Sequence, residues 1–174
     1  MTSCRKILLV GVTAISAMAA VSSALAQSSA SATASGSVTV FGTLALVSQS
    51  NLSFGSVLKP SAGSRTFTID PTTGAGSISG GGTGGSYASG SSQTRAVFRA
   101  TGEGGQAITF TVPATVSLGT LTLTTSNTGT GANLSGSLGG SGTADLGVGG
   151  SVDISNSTAS DTYNGNIVVS VAYN

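Results

Sequence analysis

The sequence lacks most of the side chains on which enzymes rely. It has no histidine and no tryptophan, and its one cysteine, Cys4, stands near the N-terminus. Nucleophilic sites of the Ser-His-Asp or Cys-His type, and zinc sites built on histidine or cysteine, are therefore excluded. The five acidic residues stand singly along the chain, so neither a paired-carboxylate glycosidase site nor a calcium loop is indicated. We expect a protein that is not an enzyme and that has no catalytic, cofactor-binding or metal-binding residues.

Charge of either sign is also scarce. Six basic and five acidic residues make up 6% of the 174 residues, whereas charged residues are about a quarter of an ordinary soluble domain. There is no basic cluster that would bind nucleic acid and no run of charge that would hold the chain on a membrane surface. Because few charges oppose association, the composition favours a subunit that assembles with other chains.

The first 26 residues have the pattern of a secretory signal peptide. Arg5 and Lys6 precede an apolar run over residues 7–21, and Ala24-Leu25-Ala26 fits a small-x-small cleavage site. The alternative is an uncleaved membrane anchor, which the short apolar run disfavours. Cleavage would make Gln27 the first residue and would leave no cysteine and no membrane span in the remaining chain. We therefore predict that the protein is secreted across the inner membrane.

The chain after the signal alternates between apolar and polar residues with a period of two, and no stretch has a helical stripe. Roughly nine to eleven short strands separated by Gly-rich turns are predicted, a pattern typical of an all-β, antiparallel β-sandwich. Residues 93–101 and 106–112 are predicted to pair as a hairpin across a Gly-rich turn. A second hairpin is predicted with Gly149-Gly150 as its turn.

The strongest alternation lies in the last residues of the sequence. The opposite positions are mostly polar, and the apolar side is formed by Tyr163, Gly165, Ile167, Val169, Val171 and Tyr173. This pattern predicts a half-buried strand at the edge of the sandwich. A bare strand edge beside apolar residues must be covered by some other segment.

A segment that could cover the edge of the closing strand lies near the N-terminus. Residues 27–36 read QSSASATASG, and this low complexity is typical of a disordered tail. However, small apolar residues recur at every even position from residue 30 onward, and they form a face made of Ala30, Ala32, Ala34, Gly36, Val38 and Val40. The face predicts a strand with very small side chains on its apolar side, and a disordered tail is the alternative.

Three motifs together carry a resemblance to known proteins. They are the alternating N-terminal segment, the LSFGSV sequence of residues 52–57, and the closing alternation over residues 163–173. The combination resembles domain-of-unknown-function family 4402 of secreted Gram-negative proteins, and residues 101–106, TGEGGQ, fit that family too. It is similar, more distantly, to the spore coat U-like pilins of archaic chaperone–usher systems, although the early cysteine of many such subunits is missing.

The resemblance implies an incomplete immunoglobulin-like β-sandwich over residues 41–174, preceded by a signal peptide (1–26) and a donor-strand extension (27–40). A periplasmic chaperone would fill the missing strand position first. At an outer-membrane usher, the N-terminal segment of the next subunit would then replace it by donor-strand exchange. The even-numbered N-terminal face would be the donor, and Phe54 would line the acceptor groove together with the apolar side of the closing strand. The product would be a self-associated polymer, a pilus- or fimbria-like surface fibre with a role in adhesion or biofilm formation.

Two alternatives stay open at this point. In the first, residues 28–40 fold back into their own groove, which would give a self-complemented secreted monomer. In the second, the chain is a secreted carbohydrate-binding β-domain. The absence of tryptophan argues against the second alternative, because exposed aromatic rings are the usual platform for sugars. Tyr87 is the one aromatic expected in a loop, since residues 72–92 are predicted to form a short strand near residues 75–79 and then a flexible surface loop.

Overall fold

The computed structural model describes residues 29–174. The predicted signal peptide over residues 1–26 and the first two residues of the predicted extension lie outside the described residues. Two units are distinguished, with the boundary between Val38 and Thr39. In the first unit, residues 29–38 have no regular secondary structure and every residue is exposed.

The second unit, Thr39–Asn174, contains all of the strands, and no helix occurs among residues 29–174. The twelve strands are β1 (Ala45–Ser50), β2 (Val57–Ala62), β3 (Ser64–Ile69), β4 (Gly76–Ser79), β5 (Thr83–Tyr87), β6 (Ala96–Glu103), β7 (Ala107–Thr111), β8 (Thr115–Leu118), β9 (Leu121–Asn127), β10 (Gly131–Asn133), β11 (Ser141–Ser155) and β12 (Ser170–Tyr173).

The strands form a large sheet, a small sheet and a separate two-stranded ribbon, and every pairing is antiparallel. The main sheet runs in the order β1-β6-β11-β3-β4, with β9 also paired to β11 and β8 paired to β9. The small sheet has the order β10-β7-β12, and β2 pairs with β5 in the ribbon. The predicted all-β, antiparallel β-sandwich is thus confirmed.

The alternation of apolar residues explains why these segments are strands. In β7 the side chains of Ile108 and Phe110 are 0% and 2% exposed, while the residues between them face solvent. Phe67 and Ile69 of β3 alternate in the same way. Successive side chains of a strand point to opposite faces, so one face of each sheet is apolar and packs against a core.

The core consists of two clusters. The first cluster lies between the inner faces of the main and small sheets, and its buried members are Ala96, Ala100, Ile108, Phe110, Leu134, Leu146 and Val148. The second cluster contains Phe67, Leu123, Val152 and Ile154. Strand β11 contributes buried residues to both clusters, so it links them through one continuous backbone.

Both predicted hairpins are wrong. Strands β6 and β7 lie in different sheets, since both edges of β6 are already paired, one with β1 and the other with β11. Gly149-Gly150 is not a turn but the middle of the 15-residue strand β11. A Cβ at residue 149 would overlap the carbonyl oxygen of Ile69. The glycine is therefore explained by the close approach of a neighbouring backbone.

The prediction for residues 72–92 is correct only in part. The short strand near residues 75–79 is confirmed as β4, but the rest includes a further strand, β5. Tyr87 ends β5, and its ring packs edge-on against Phe67 with the centroids 5.4 Å apart. Its hydroxyl donates a hydrogen bond to the carbonyl oxygen of Thr68 at 3.1 Å. Tyr87 is thus half-buried against the second cluster and is not an exposed sugar platform.

Candidate functional site

The small sheet leaves one edge of β12 unpaired. Strand β12 pairs with β7 in the register Ser170↔Thr111 to Tyr173↔Ile108. Because β7 lies between β10 and β12, the opposite edge of β12 has no strand partner among residues 29–174. The predicted closing strand over residues 163–173 is regular only in its last part, since residues 163–169 are in no strand.

The main sheet has a comparable free edge at β1. This strand is the end of the sheet and pairs only with β6, from Ala45↔Thr101 to Ser50↔Val97, with a bulge between Ser48 and Ser50. Its other edge has no strand partner in the part of the chain that the structure describes. Within residues 29–174, each of the two sheets therefore has an outer strand, β1 or β12, with one unpaired edge.

Apolar residues of both free edges pack against the first cluster without being fully buried. On the β1 side these are Leu44, Leu46 and Leu52, and on the β12 side they are Ile167, Val169, Val171 and Tyr173. The alternation predicted over residues 163–173 is present, because Val168 is 75% exposed between two half-buried neighbours. We call the space between residues 42–54 and 163–173 the edge groove.

A tyrosine closes one end of the edge groove. The hydroxyl of Tyr173 accepts a hydrogen bond from the backbone N–H of Glu103 at 2.7 Å and donates one to the carbonyl oxygen of Gly42 at 3.0 Å. The rings of Phe41 and Tyr173 are 5.6 Å apart between centroids. The Glu103 carboxylate also accepts a hydrogen bond from the N–H of Gly42 at 3.1 Å. We refer to Phe41, Gly42, Glu103 and Tyr173 as the tyrosine clasp.

The other end of the edge groove widens into a cleft of about 540 Å³. The structure brings together there four of the residues predicted to form the acceptor groove, Phe54, Tyr163, Gly165 and Ile167. The remaining walls are mixed. Their apolar residues are Leu52, Val57, Leu118, Leu121, Leu123, Val152 and Ile154, and their polar residues are Ser53, Ser56, Asp161, Thr162 and Asn164. The other predicted groove residues, Val169, Val171 and Tyr173, lie farther along the groove toward the tyrosine clasp.

The two sides of the edge groove run in opposite directions. Tyr173 contacts Gly42 at the clasp end, whereas Ile167 shares the cleft with Leu52. Within residues 29–174, no backbone hydrogen bond joins residues 42–54 to residues 163–173. The backbone groups that point into the groove are therefore available to a further strand.

The predicted donor face is exposed along its whole length. Val38 and Val40 are 86% and 81% exposed, values that are unusual for valine. The other residues of this face, Ala30, Ala32, Ala34 and Gly36, are exposed as well and lie in no strand.

Among residues 29–174, the charged groups lie outside the groove, with the exceptions of Glu103 in the clasp and Asp161 at the rim of the cleft. Arg99 and Asp145 form an ion pair at 2.7 Å, and its hydrogen bonds hold the pKa of Asp145 below the ordinary 3.8. Hydrogen bonds from the N–H groups of Thr73 and Thr72 lower the pKa of Asp70. No cluster of metal-ligating side chains occurs among residues 29–174. The groove is thus equipped to hold an extended backbone and apolar side chains.

Sequence reasoning did not identify several groove residues. Leu44 and Leu46 alternate and could be recognised as a strand face, but nothing in the sequence shows that this strand lies opposite β12. Leu118 and Leu121 form part of the cleft because β8 and β9 turn back on each other at Gly119. No local pattern predicts that this hairpin meets Tyr163.

In the part of the chain that the structure describes, no helix is long and apolar enough to cross a membrane. Comparison with curated proteins and comparison with solved structures each gave no match. The model of the family described as "Domain of unknown function (DUF4402)" matches residues 44–173, which include both sides of the groove from Leu44 onward. The chain therefore belongs to the DUF4402 family.

Proposed function

We propose that this protein is the structural subunit of a surface fibre, assembled by donor-strand exchange. The sandwich is then an incomplete immunoglobulin-like fold, and residues 27–40 of a second copy supply the missing strand. The observation that supports this proposal is the edge groove itself. Two strand edges that have no partner in the described part of the chain, one of β1 and one of β12, lie on either side of apolar residues that are only half-buried.

The donor segment has the chemistry that such a groove requires. Residues 29–40 carry no charge, and their even positions hold only alanine, glycine and valine. An inserted strand would pair with both free edges, and each hydrogen bond contributes about 0.5–1.5 kcal/mol net. Burial of the small donor side chains adds only about 25 cal/mol per Å². The affinity would therefore come mainly from the backbone, and the side chains would set the register.

A contact of this kind produces a fibre. The donor segment and the edge groove are different surfaces of one chain, so each copy can donate to one neighbour and accept from another. Such head-to-tail contacts do not close on themselves unless the rotation happens to form a ring. The product would be a pilus- or fimbria-like polymer at the cell surface, with a role in adhesion or biofilm formation.

Export requires that the open groove be covered before assembly. An exposed apolar strand edge aggregates readily. A periplasmic chaperone that inserts its own strand, and an outer-membrane usher at which the strand is exchanged, would provide that protection. The similarity of the LSFGSV and closing motifs to spore coat U-like pilins supports this predicted route of export through a chaperone and an usher. We do not expect the protein to bind nucleic acid, since no basic cluster is present in the sequence.

Removal of the donor segment tests the proposal. The wild-type protein should migrate in denaturing gels as a ladder of polymers that resists mild heating. Deletion of residues 27–36 should abolish the ladder and leave a monomer. Changes of Ser31 and Ser35 to threonine lie on the opposite face of the segment and should leave the ladder intact. A wild-type protein that purifies as a monomer and refolds alone would refute the fibre and favour the self-complemented monomer.

A further inference from the structure

We propose that Asn164 is a site of spontaneous chemical modification, which deamidates without an enzyme and is converted in part to an isoaspartyl link. The observation that points to it is a free Asn-Gly pair at the rim of the cleft. Asn164 is the one asparagine in the sequence that is followed by glycine. Both residues are exposed and lie in no strand. The modification itself goes beyond the proposed function, whereas its effect on assembly rests on that function.

The reaction takes place within the chain and consumes only water. The backbone nitrogen of Gly165, once it has lost its proton, attacks the side-chain carbonyl carbon of Asn164. Ammonia leaves, and a succinimide ring remains. Water then opens the ring at either carbonyl, which gives aspartate with the ordinary peptide link or isoaspartate linked through its side chain. The amide nitrogen is released as ammonia, one water is consumed overall, and nothing is oxidised or reduced.

Both reacting groups are free to meet. In this stretch, the Tyr163 hydroxyl donates a hydrogen bond to the carbonyl oxygen of Ala159 at 2.9 Å. Within residues 29–174, no hydrogen bond involves the side-chain amide of Asn164 or the N–H of Gly165. Pairing in a sheet would hold this N–H against a partner strand. Without that pairing, the attacking nitrogen and the amide can reach the geometry of the ring.

The fold fixes the glycine that makes this pair reactive. A Cβ on residue 165 would overlap the carbonyl oxygen of Ser117 and lie 2.8 Å from a methyl of Leu118. Residue 165 therefore has no side chain that could shield its nitrogen. Asn166 provides the contrast, because it is followed by the β-branched Ile167. The close contact with β8 thus explains the glycine, and the glycine exposes its neighbour to deamidation.

An isoaspartyl link lengthens the backbone between residues 164 and 165 by one carbon atom. The link would lie between two held points, because the Tyr163 hydroxyl is hydrogen-bonded before it and Gly165 is packed against Ser117 after it. From Ile167 onward, half-buried residues pack against the first cluster. The added atom must therefore displace the rim of the cleft, which residues 161–165 form. A chain modified in this way should accept a donor segment poorly.

Peptide mapping of the purified protein tests the site. The folded protein is kept in mildly alkaline buffer made with water enriched in the heavy oxygen isotope. Samples are digested over time with a protease that cleaves before aspartate, which releases residues 161–174. Asn164 should be replaced progressively by a residue that carries a single heavy oxygen, while Asn166 and Asn174 in the same peptide stay unchanged. A new cleavage before residue 164 identifies the aspartyl product, because the isoaspartyl link resists this protease.

Two variants test the effect on assembly. In Asn164→Gln the longer side chain must close a larger ring, which forms far more slowly. Freshly prepared Asn164→Asp adds the negative charge without lengthening the backbone. Aged wild-type protein should lose polymer ladders in proportion to its isoaspartyl content, and isoaspartyl chains should collect in the monomer fraction. Both variants, the first of them aged in the same way, should keep their ladders.

The possible results can be told apart. An unconverted Asn164, or equal conversion of Asn166, would overturn the modification site. Conversion with undiminished ladders would overturn the effect on assembly, as would an equal loss of ladders from aged Asn164→Gln. Loss of ladders in fresh Asn164→Asp would assign the effect to the charge and overturn the role of the longer backbone. Absence of ladders from freshly purified wild-type protein would refute the proposed function, while the peptide map would still decide whether Asn164 is modified.

Discussion

The hydroxyl of Tyr173 donates a hydrogen bond of 3.0 Å to the carbonyl oxygen of Gly42, although 131 residues separate the two. The same hydroxyl accepts the N–H of Glu103. The end of β12 is thereby connected to the segment before β1 and to β6. The clasp is the place where the two free edges of the sandwich are held together by side-chain hydrogen bonds.

Replacement of Tyr173 by phenylalanine should lower the free energy of unfolding of the protein by about 1–2 kcal/mol. The change leaves the Glu103 N–H and the Gly42 carbonyl without this partner, and the loss of a hydrogen bond to a partly buried group has about that effect. Urea unfolding followed by circular dichroism would measure it. Tyr163→Phe is the control, because the Tyr163 hydroxyl bonds only to the nearby carbonyl of Ala159. An equal loss in both variants would contradict a special role of the clasp.

Gly102→Ala should lower the free energy of unfolding by about 1–3 kcal/mol through overpacking. Gly102 is buried, and a Cβ there would overlap the Tyr173 hydroxyl and lie 2.9 Å from a methyl of Leu44. In a Tyr173→Phe background the added methyl should be less harmful, because the hydroxyl is gone; a double-mutant cycle measures this coupling. Gly131→Ala is the control, since a Cβ at residue 131 would meet nothing within 4 Å. If the losses of unfolding free energy in the Gly102→Ala and Tyr173→Phe variants are strictly additive in the double variant, the predicted overlap is contradicted.

Gly36→Arg should prevent polymerisation while leaving the fold of the subunit unchanged. A Cβ on Gly36 would meet nothing within 4 Å in the chain itself, whereas in the proposed fibre residue 36 belongs to the donor face that enters the groove of a second copy. Ser37→Arg adds the same charge on the opposite face and should polymerise normally. Size-exclusion chromatography and thermal unfolding of both variants would test this. Normal polymers from Gly36→Arg would exclude residue 36 from the groove face.

Stability should be nearly constant between about pH 8 and pH 5 and should fall in acid. The chain has no histidine, and histidine is the side chain that ordinarily titrates in that range. The pKa of Asp70 is lowered from 3.8 by the N–H groups of Thr73 and Thr72. Its contribution is therefore present above pH 3.8 and is lost as the pH falls through the lower folded-state pKa.

The variant Asp70→Asn should be less stable than the wild type at neutral pH, and the difference should shrink below about pH 3.8. Urea midpoints measured from pH 2 to pH 7 would show it. Asp145→Asn should have a smaller effect that weakens with salt, because the side chains of Arg99 and Asp145 are 47% and 46% exposed. A constant difference in urea midpoint between Asp70→Asn and the wild type over the whole pH range would contradict a lowered pKa of Asp70.

The sequence allowed the fold class and many strands to be predicted, because alternation is a local property. Phe67 with Ile69, Ile108 with Phe110, and the alternate residues Ile167, Val169, Val171 and Tyr173 all face the core as expected. Which strands pair depends on residues that are far apart in the sequence, and the two predicted hairpins were wrong. Gly149-Gly150 has the composition of a turn, but the close backbone of Ile69, far away in sequence, explains its glycine.

The same distinction applies to the candidate site. The alternation over residues 163–173 could be read directly, and so could the even-numbered face of residues 30–40. The position of β1 opposite β12, and the cleft made by Leu118 and Leu121, depend on tertiary contacts that no short motif encodes. Neither the clasp at Tyr173 nor the width of the cleft could have been predicted.

Strand β11 also determines when the sandwich can form. It lies between β6 and β3 in the main sheet, and it pairs Ser155 with Ser64. Because a chain is synthesised from its N-terminus, β1, β3 and β6 are complete long before residue 155 is added and β11 can pair with them. Such non-local pairing makes folding slow and leaves open edges in the meantime. Because β11 is completed last among these strands, the nascent chain leaves more strand edges open to aggregation than the folded domain does.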